Sequence, residues 1–198
     1  APLRVNMEGA VLEGPAPGTD HSLTFSVHQT AEGWRGGARD MNQLRKRHNL
    51  QGPIDDAFMD SFVFVRPTGK SKHELVNQWC ESELDRAIEH WRRHFRGEAR
   101  VKLDREITED DIAAANLVLW GDYESNSILR RIATELPLVW NAETLAAGDQ
   151  VFSPDVHALI AIYPNPLHPD HYVVVNSGFT FRDYAHLNNA RQVPMLPD

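Results

Sequence analysis

Short groups of polar residues follow three apolar segments of this sequence, and they are the best candidates for a binding site. Hydroxyl, carboxamide and carboxylate groups at such places can bind a hydroxyl-rich ligand such as a sugar, or a cationic ligand. The same residue types also cap helices and stabilise turns, which is the alternative interpretation. The candidate ligand-binding residues are Thr68, Gly69, Asp122, Glu124, Asn126, Asn176, Ser177 and Gly178.

No side chain qualifies from the sequence as a catalytic residue. A serine hydrolase of the α/β type carries its nucleophile in a G-x-S-x-G turn, and this pentapeptide does not occur here. Ser125 follows an apolar segment, but it lies four residues beyond Gly121 and fits a helix N-cap. Cys80 lies in an apolar helical stripe, where burial raises the pKa of a thiol, so we interpret it as structural.

The sequence predicts no metal ligand and no cofactor. Neither a P-loop nor a G-x-G-x-x-G motif follows a strand-like segment. His90 and His94 lie one helical turn apart, but the two arginines between them oppose a dication, and a helix C-terminus accommodates histidines. His168, Asp170 and His171 share a proline-rich loop, and an autonomous metal-dependent hydrolase built on them stays open as a further hypothesis.

The stretch Asn116–Pro137 organises the predicted fold. Its apolar run LVLW (117–120) predicts a strand buried on both faces, as in a parallel sheet covered by helices. Gly121 ends this strand, Ser125 is the predicted N-cap, and the apolar residues that follow recur at helical spacing. In doubly wound sheets ligands bind outside the carboxyl ends of the strands, so the turn after this strand would line a crevice.

The remaining apolar segments extend this pattern along the chain. Strands are expected near residues 61, 99, 117, 156 and 172, and helices over 71–95, 107–116 and 181–190. Thr108 is the predicted N-cap of the second helix, and the two closing strands form a hairpin-like segment that allows antiparallel pairing. The pattern predicts the α/β class, with a three-layer flavodoxin-like (Rossmann-like) sandwich.

Residues 1–45 differ from residues 46–198. The segments LRVNM and SLTFSVHQT alternate as strands do, GPAPG and EGWRGG are turns, and helical periodicity begins only after residue 40. The sequence therefore predicts a small β-rich appendage over residues 1–45 and a flavodoxin-like α/β domain over residues 46–198.

Composition excludes several functional classes. A hydrophobic content of 41% is enough for a core, whereas the formal charge of −8 argues against a nucleic-acid surface. No apolar run approaches the length of about 18 residues that predicts a membrane span. The single cysteine excludes an intrachain disulfide. Both ends are abrupt, so we expect a piece of a longer protein.

Three segments carry a resemblance to a known family. They are LRKRHNLQGPIDDAFMDSFVFVRPTG (44–69), AAANLVLWGDYESNSILRRIATELPLVW (113–140) and HPDHYVVVNSGFTFRDYAHLNNARQVPMLPD (168–198). Together they resemble the C-terminal region of large bacterial α/β-hydrolases of planctomycetes and related bacteria. Those proteins are described as prolyl-oligopeptidase-like or polyhydroxybutyrate-depolymerase-like esterases. The resemblance covers residues 40–198 well and the β-rich start more loosely.

The resemblance implies a non-catalytic accessory domain. In such proteins the hydrolase domain with its serine nucleophile precedes this region, so that domain is the expected partner, and no catalytic residue carries over to this chain. The parent is expected to be a periplasmic or extracellular esterase or peptidase. Trp34, Trp120 and the segment LNNARQVPML are candidates for an apolar contact surface. The alternative is a small-molecule binding module that uses the crevice at the strand ends.

Overall fold

The computed structural model describes residues 2–37 and 48–178, in two compact units, Ala1–Leu44 and Arg45–Asp198. The helix predicted over residues 181–190 and the segment LNNARQVPML lie outside the described residues. The first unit contains two antiparallel hairpins. Their strands are β1 (Arg4–Met7), β2 (Ala10–Glu13), β3 (Val27–Thr30) and β4 (Gly33–Gly36).

A five-stranded mixed sheet forms the centre of the second unit, in the spatial order β6-β5-β7-β12-β11. The first four strands of this order are parallel to one another, and β11 runs antiparallel to β12. A separate antiparallel sheet has the order β10-β9-β8. The strands are β5 (Phe62–Arg66), β6 (Val101–Leu103), β7 (Asn116–Trp120), β8 (Val139–Trp140), β9 (Leu145–Ala147), β10 (Gln150–Phe152), β11 (Ile160–Pro164) and β12 (Tyr172–Asn176).

The described α-helices of this unit are α1 (Glu74–Phe95), α2 (Glu109–Ala114) and α3 (Ser127–Ile132). Thr108 caps α2 as predicted, because its hydroxyl accepts a hydrogen bond from the Asp111 N–H at 3.2 Å. The carboxylate of Asp111 in turn accepts one from the Thr108 N–H at 2.9 Å, which completes a capping box. Helices flank the five-stranded mixed sheet, which confirms the prediction of the broad α/β class.

Two hydrophobic cores lie on opposite faces of the central sheet, because alternate residues of a strand point to opposite sides. On one face, β5 and β7 contribute Val63, Val65, Leu117 and Leu119, which pack with α2 and α3. The other face contacts α1 and carries Phe62, Phe64, Trp120 and Tyr172 of the sheet. Because both faces are covered, β7 is buried at every position, which explains the continuous apolar run Leu117–Trp120.

The face that contacts α1 contains Trp120, one of the residues predicted above to form an exposed apolar contact surface. That expectation is wrong, since Trp120 is 2% exposed. Its ring lies 5.6 Å from the ring of Trp79 of α1 and 6.2 Å from the ring of Phe64 of β5. Burial of a large apolar side chain is worth about 1.5–3 kcal/mol, so these contacts stabilise the packing of α1 on the sheet.

Candidate functional site

The turn after β7 is fixed by the side chains of Asp122 and Ser125. Asp122 Oδ1 accepts hydrogen bonds from the N–H groups of Glu124 (3.1 Å) and Ser125 (2.8 Å) and from the Ser125 hydroxyl (2.8 Å). Gly121 enters the turn with a φ of 94°, and a Cβ at this position would lie 2.4 Å from Ser125 Oγ. The turn therefore requires glycine and holds the carboxylate of Asp122 in one orientation.

Asn126, and not Ser125, is the N-cap of α3. Its Oδ1 accepts hydrogen bonds from the N–H groups of Ile128 (3.1 Å) and Leu129 (3.2 Å), and its Nδ2 donates to the Trp120 carbonyl at 3.0 Å. The predicted N-cap is wrong because the Ser125 hydroxyl is used one residue earlier, inside the turn. Asn126 is fully buried and serves the helix.

The segment after β5 packs directly against this turn. The Gly69 N–H donates to the Ser125 carbonyl at 2.8 Å, and a Cβ on Gly69 would lie 2.9 Å from the same oxygen. Thr68 contributes a side-chain hydrogen bond to Asp104, which follows β6 and is 2% exposed. Thr68 and Gly69 therefore join the ends of three strand segments.

Asp104 is a buried carboxylate that sequence reasoning did not single out. Asp104 Oδ2 accepts a hydrogen bond from the Ser127 N–H at 2.6 Å, and Oδ1 accepts one from the Arg105 N–H at 2.9 Å. Burial is the largest influence and raises the pKa, but the hydrogen bonds from Ser127, Thr68 and Arg105 together hold the pKa of Asp104 below its usual value. The carboxylate is thus ionised and binds the start of α3.

The residues that end β12 have two different environments. Ser177 pairs with Leu159 twice, since its Oγ accepts from the Leu159 N–H at 2.6 Å and its N–H donates to the Leu159 carbonyl at 3.0 Å. The Asn176 carbonyl accepts from the Gly121 N–H at 2.8 Å, which ties β12 to the end of β7. The Asn176 carboxamide is fully buried, and neither of its polar atoms has a hydrogen-bond partner among the described residues.

A cavity of about 530 Å³ opens at the carboxyl ends of the parallel strands, where the sequence analysis expected a crevice. Asp122, Glu124, Ser177 and Gly178 all line it, so the fold brings together four of the eight candidates. The other four candidates do not line this cavity: Thr68, Gly69, Asn126 and Asn176. Gly69 instead lines a smaller cavity of about 200 Å³.

Other walls of this cavity come from segments that sequence reasoning did not connect with the site. Lys72, His73 and Glu74 lie at the start of α1, and the loop after β10 adds Asp155 and neighbouring residues. His73 Nε2 lies 3.4 Å from Asp155 Oδ1, so these two segments meet across the cavity. No spacing rule relates segments so far apart in the chain, and only the tertiary fold reveals the contact.

Two aromatic rings form a corner in the cavity wall. Tyr123 follows β7 and Trp140 ends β8, and their ring centroids lie 5.5 Å apart with the planes at 78°. In the sequence, Trp140 belongs to the short apolar segment LVW, and no pattern there indicates that it contacts Tyr123. The aromatic corner, defined here as Tyr123 and Trp140, adds apolar surface to the lining of the cavity.

The cavity has a negative electrostatic character. Its lining contains four carboxylates, from Glu74, Asp122, Glu124 and Asp155, together with Lys72 and two histidines. The pKa of Tyr123 is raised, first by burial and then by the negative charges of Glu124, Asp122 and Glu143. Such a lining disfavours phosphate and favours cationic groups.

The nucleophile candidates have structural environments. Ser125 is 3% exposed, and its hydroxyl donates to Asp122. Cys80 is buried, as expected, and burial together with the nearby charge of Asp122 raises its pKa to about 12. The thiol of Cys80 therefore stays protonated at neutral pH and is a weak nucleophile.

The histidines proposed as metal ligands lie elsewhere in the second unit. His168 and His171 have ring centroids 5.1 Å apart, and His171 Nε2 contacts the Ala113 carbonyl at 2.9 Å. Within residues 2–37 and 48–178, no group of three or more His, Cys, Asp and Glu side chains is arranged to hold a metal ion. Across the same residues, no helix has both the length and the apolar character needed to cross a membrane.

Comparison with models of known protein families found no match, and comparison with curated proteins found none either.

Proposed function

We propose that this chain is a non-catalytic binding domain and that the crevice, defined as the cavity lined by Asp122, Glu124, Ser177 and Gly178, takes a small sugar-like or cationic ligand. The observation that carries the proposal is the convergence of these four residues in one cavity of about 530 Å³. Cavities of about 300–1,000 Å³ are typical of small-molecule sites. The carboxyl ends of parallel strands are also where ligands bind in α/β sheets.

The proposed fold type is a variant of the flavodoxin-like sandwich. Numbered in chain order, the central strands β5, β6, β7, β11 and β12 have the spatial order 2-1-3-5-4. The first three positions agree with the flavodoxin-like order 2-1-3-4-5. The exchange of the last two strands, with β11 antiparallel at the edge, is the departure from that order.

The domain is further proposed to work beside a preceding α/β-hydrolase domain, in a periplasmic or extracellular esterase or peptidase. The resemblance of three segments to the C-terminal region of such proteins supports this role. A second support is the mouth of the crevice, where Leu75 and Val156 are 78% and 77% exposed. Apolar side chains left in solvent at a cavity mouth are suited to contact with another domain or with a ligand.

Ligand binding is tested by a thermal-shift screen of amines and sugars against the chain and its variants. Trp140→Ala and Glu124→Gln alter the crevice, and Glu109→Gln is a matched control, since Glu109 is exposed and pairs with Arg131 outside the crevice. We expect at least one ligand to raise the melting temperature of the parent and of the control by similar amounts. The same ligand should raise the melting temperature of the two crevice variants by a smaller amount. Equal increases in melting temperature for all four proteins would show that the ligand does not bind in the crevice.

The accessory role is tested on the polypeptide encoded upstream of Ala1. If that region contains a hydrolase domain, linking it to this chain is expected to raise the melting temperature of both or to change esterase activity. Identical melting curves and activities for linked and separate domains would contradict the accessory role while leaving ligand binding to be judged separately.

A further inference from the structure

The aromatic corner and the carboxylates of the crevice lie in one continuous lining, although they come from different parts of the chain. Tyr123 and Trp140 supply two ring planes at 78°, with the centroids 5.5 Å apart. Asp122 and Glu124 flank Tyr123 in the turn after β7, and all four residues line the cavity. The negative faces of two nearly perpendicular rings and the charges of two carboxylates are thus available to a ligand in the same cavity.

We propose that the crevice recognises an alkylammonium group, a primary or methylated amine carried on an aliphatic chain, with the ammonium in the aromatic corner. This inference rests on the proposed function, because it specifies the ligand of the same crevice.

The shape of the corner selects among ligand classes. A sugar ring packs best against a single flat aromatic face, and a planar guanidinium also stacks on one face. An ammonium group is compact and nearly spherical, so it can contact two ring faces at once. The angle of 78° between Tyr123 and Trp140 therefore favours ammonium over the two flat alternatives.

The carboxylates of the turn are positioned to act on a bound cation. The three turn hydrogen bonds that the Asp122 carboxylate accepts all go to Oδ1, and Oδ2 makes no hydrogen bond among the described residues. Glu124 Oε2 accepts from the Lys72 N–H at 3.0 Å, which anchors that carboxylate beside the start of α1. Among the described residues of the lining, four carboxylates stand against the single ammonium group of Lys72.

The mouth of the crevice fits the aliphatic part of such a ligand. Leu75 lies in the first turn of α1 and Val156 lies in the loop after β10, and both residues are more than three-quarters exposed. Both residues line the same cavity as the carboxylates. An alkyl chain attached to the ammonium would cover these side chains and gain about 0.8 kcal/mol for each buried CH₂ group, a factor of about four in affinity.

The test uses NMR titration of the full chain with n-butylammonium, the uncharged isostere 1-butanol, and methyl glucoside. Butylammonium is expected to shift the Trp140 indole signal saturably, with 1-butanol at least about tenfold weaker. Trp140→Ala should weaken butylammonium binding about three- to tenfold, and Glu124→Gln about two- to fivefold. Trp140→Phe keeps a ring against Tyr123 and should lose less affinity than Trp140→Ala, and Glu109→Gln should lose none.

The outcomes separate the ligand class from the site itself. If methyl glucoside or 1-butanol binds at the crevice as tightly as butylammonium, the alkylammonium inference is overturned and the crevice remains a binding site. If none of the three probes shifts the NMR signal of a crevice residue, the alkylammonium inference and the proposed binding function of the crevice are both contradicted. Nα-acetyl-lysine N-methylamide, which keeps the ε-ammonium group, distinguishes the source of the ligand. Tighter binding than butylammonium indicates a lysine side chain of a protein, and equal or weaker binding indicates a free amine.

Discussion

Replacing Asp104 with alanine removes the buried carboxylate that connects the end of β6 to the start of α3. The change leaves three donors without their acceptor: the N–H groups of Ser127 and Arg105 and the Thr68 hydroxyl. Hydrogen bonds to a charged group are worth about 1.5–3 kcal/mol each, but water entering the site and the lost desolvation cost offset part of this. We therefore expect Asp104→Ala to lower the free energy of unfolding by about 2–4 kcal/mol.

The assay is urea unfolding followed by tryptophan fluorescence and far-UV circular dichroism. The slope of the unfolding free energy against urea should be unchanged, so that the shift in midpoint reports stability. Asp149→Ala is the control, because Asp149 is an exposed aspartate in the turn between β9 and β10. The control is expected to change stability by less than about 0.5 kcal/mol. An equally small effect for Asp104→Ala would refute the proposed role of this carboxylate.

The same carboxylate predicts a pH dependence whose sign follows from its pKa. The pKa of Asp104 is lower in the folded state than its ordinary value of 3.8. Its stabilising contribution is therefore complete above that value and is lost as the pH falls through the folded pKa. The difference in unfolding free energy between the parent and Asp104→Asn should be constant from pH 7 to pH 5 and should shrink below about pH 4. A difference that grows on acidification would contradict this assignment.

Three further predictions concern the turn after β7 and the buried thiol of Cys80. Asn126→Ala should destabilise the fold by about 1–3 kcal/mol, since α3 loses its N-cap, whereas an unchanged melting temperature would show that the cap is dispensable. Gly121→Ala should cost about 1–3 kcal/mol, because the residue has a φ of 94° and little space for a Cβ; a neutral effect in urea unfolding would mean that the turn relaxes. Cys80, with a pKa of about 12, should react with a thiol reagent at pH 8 about 100-fold more slowly in the folded than in the unfolded chain. Equal rates would show that Cys80 is accessible.

The buried strands were predictable because burial on both faces produces continuous apolar runs. β5, β7 and β12 lie where the sequence indicated them, and each is buried almost throughout. β11 begins at Ile160 rather than near residue 156, since the residues before it belong to the loop that lines the crevice. Strand order depends on long-range pairing, which a local pattern does not determine.

The crevice was only partly predictable, for a different physical reason. Asp122 and Glu124 follow a recognisable strand, so their place at its carboxyl end could be inferred from the sequence. Trp140 and Asp155 come from segments with no periodic pattern, and only the fold brings them to the same cavity. Asp104 resembles an ordinary surface charge in the sequence LDRE, because its acceptor role depends on the distant start of α3.

The most direct test of the central claim is a chemical-shift map of the ¹⁵N-labelled chain titrated with the ligand that emerges from the amine and sugar screen. Binding in the crevice predicts saturable shifts confined to the five segments that line it, around Glu74, Asp122, Trp140, Asp155 and Ser177, including the Trp140 indole. Shifts clustered on another surface, or an absence of saturable shifts with every amine and sugar, would contradict the claim that this crevice is a binding site.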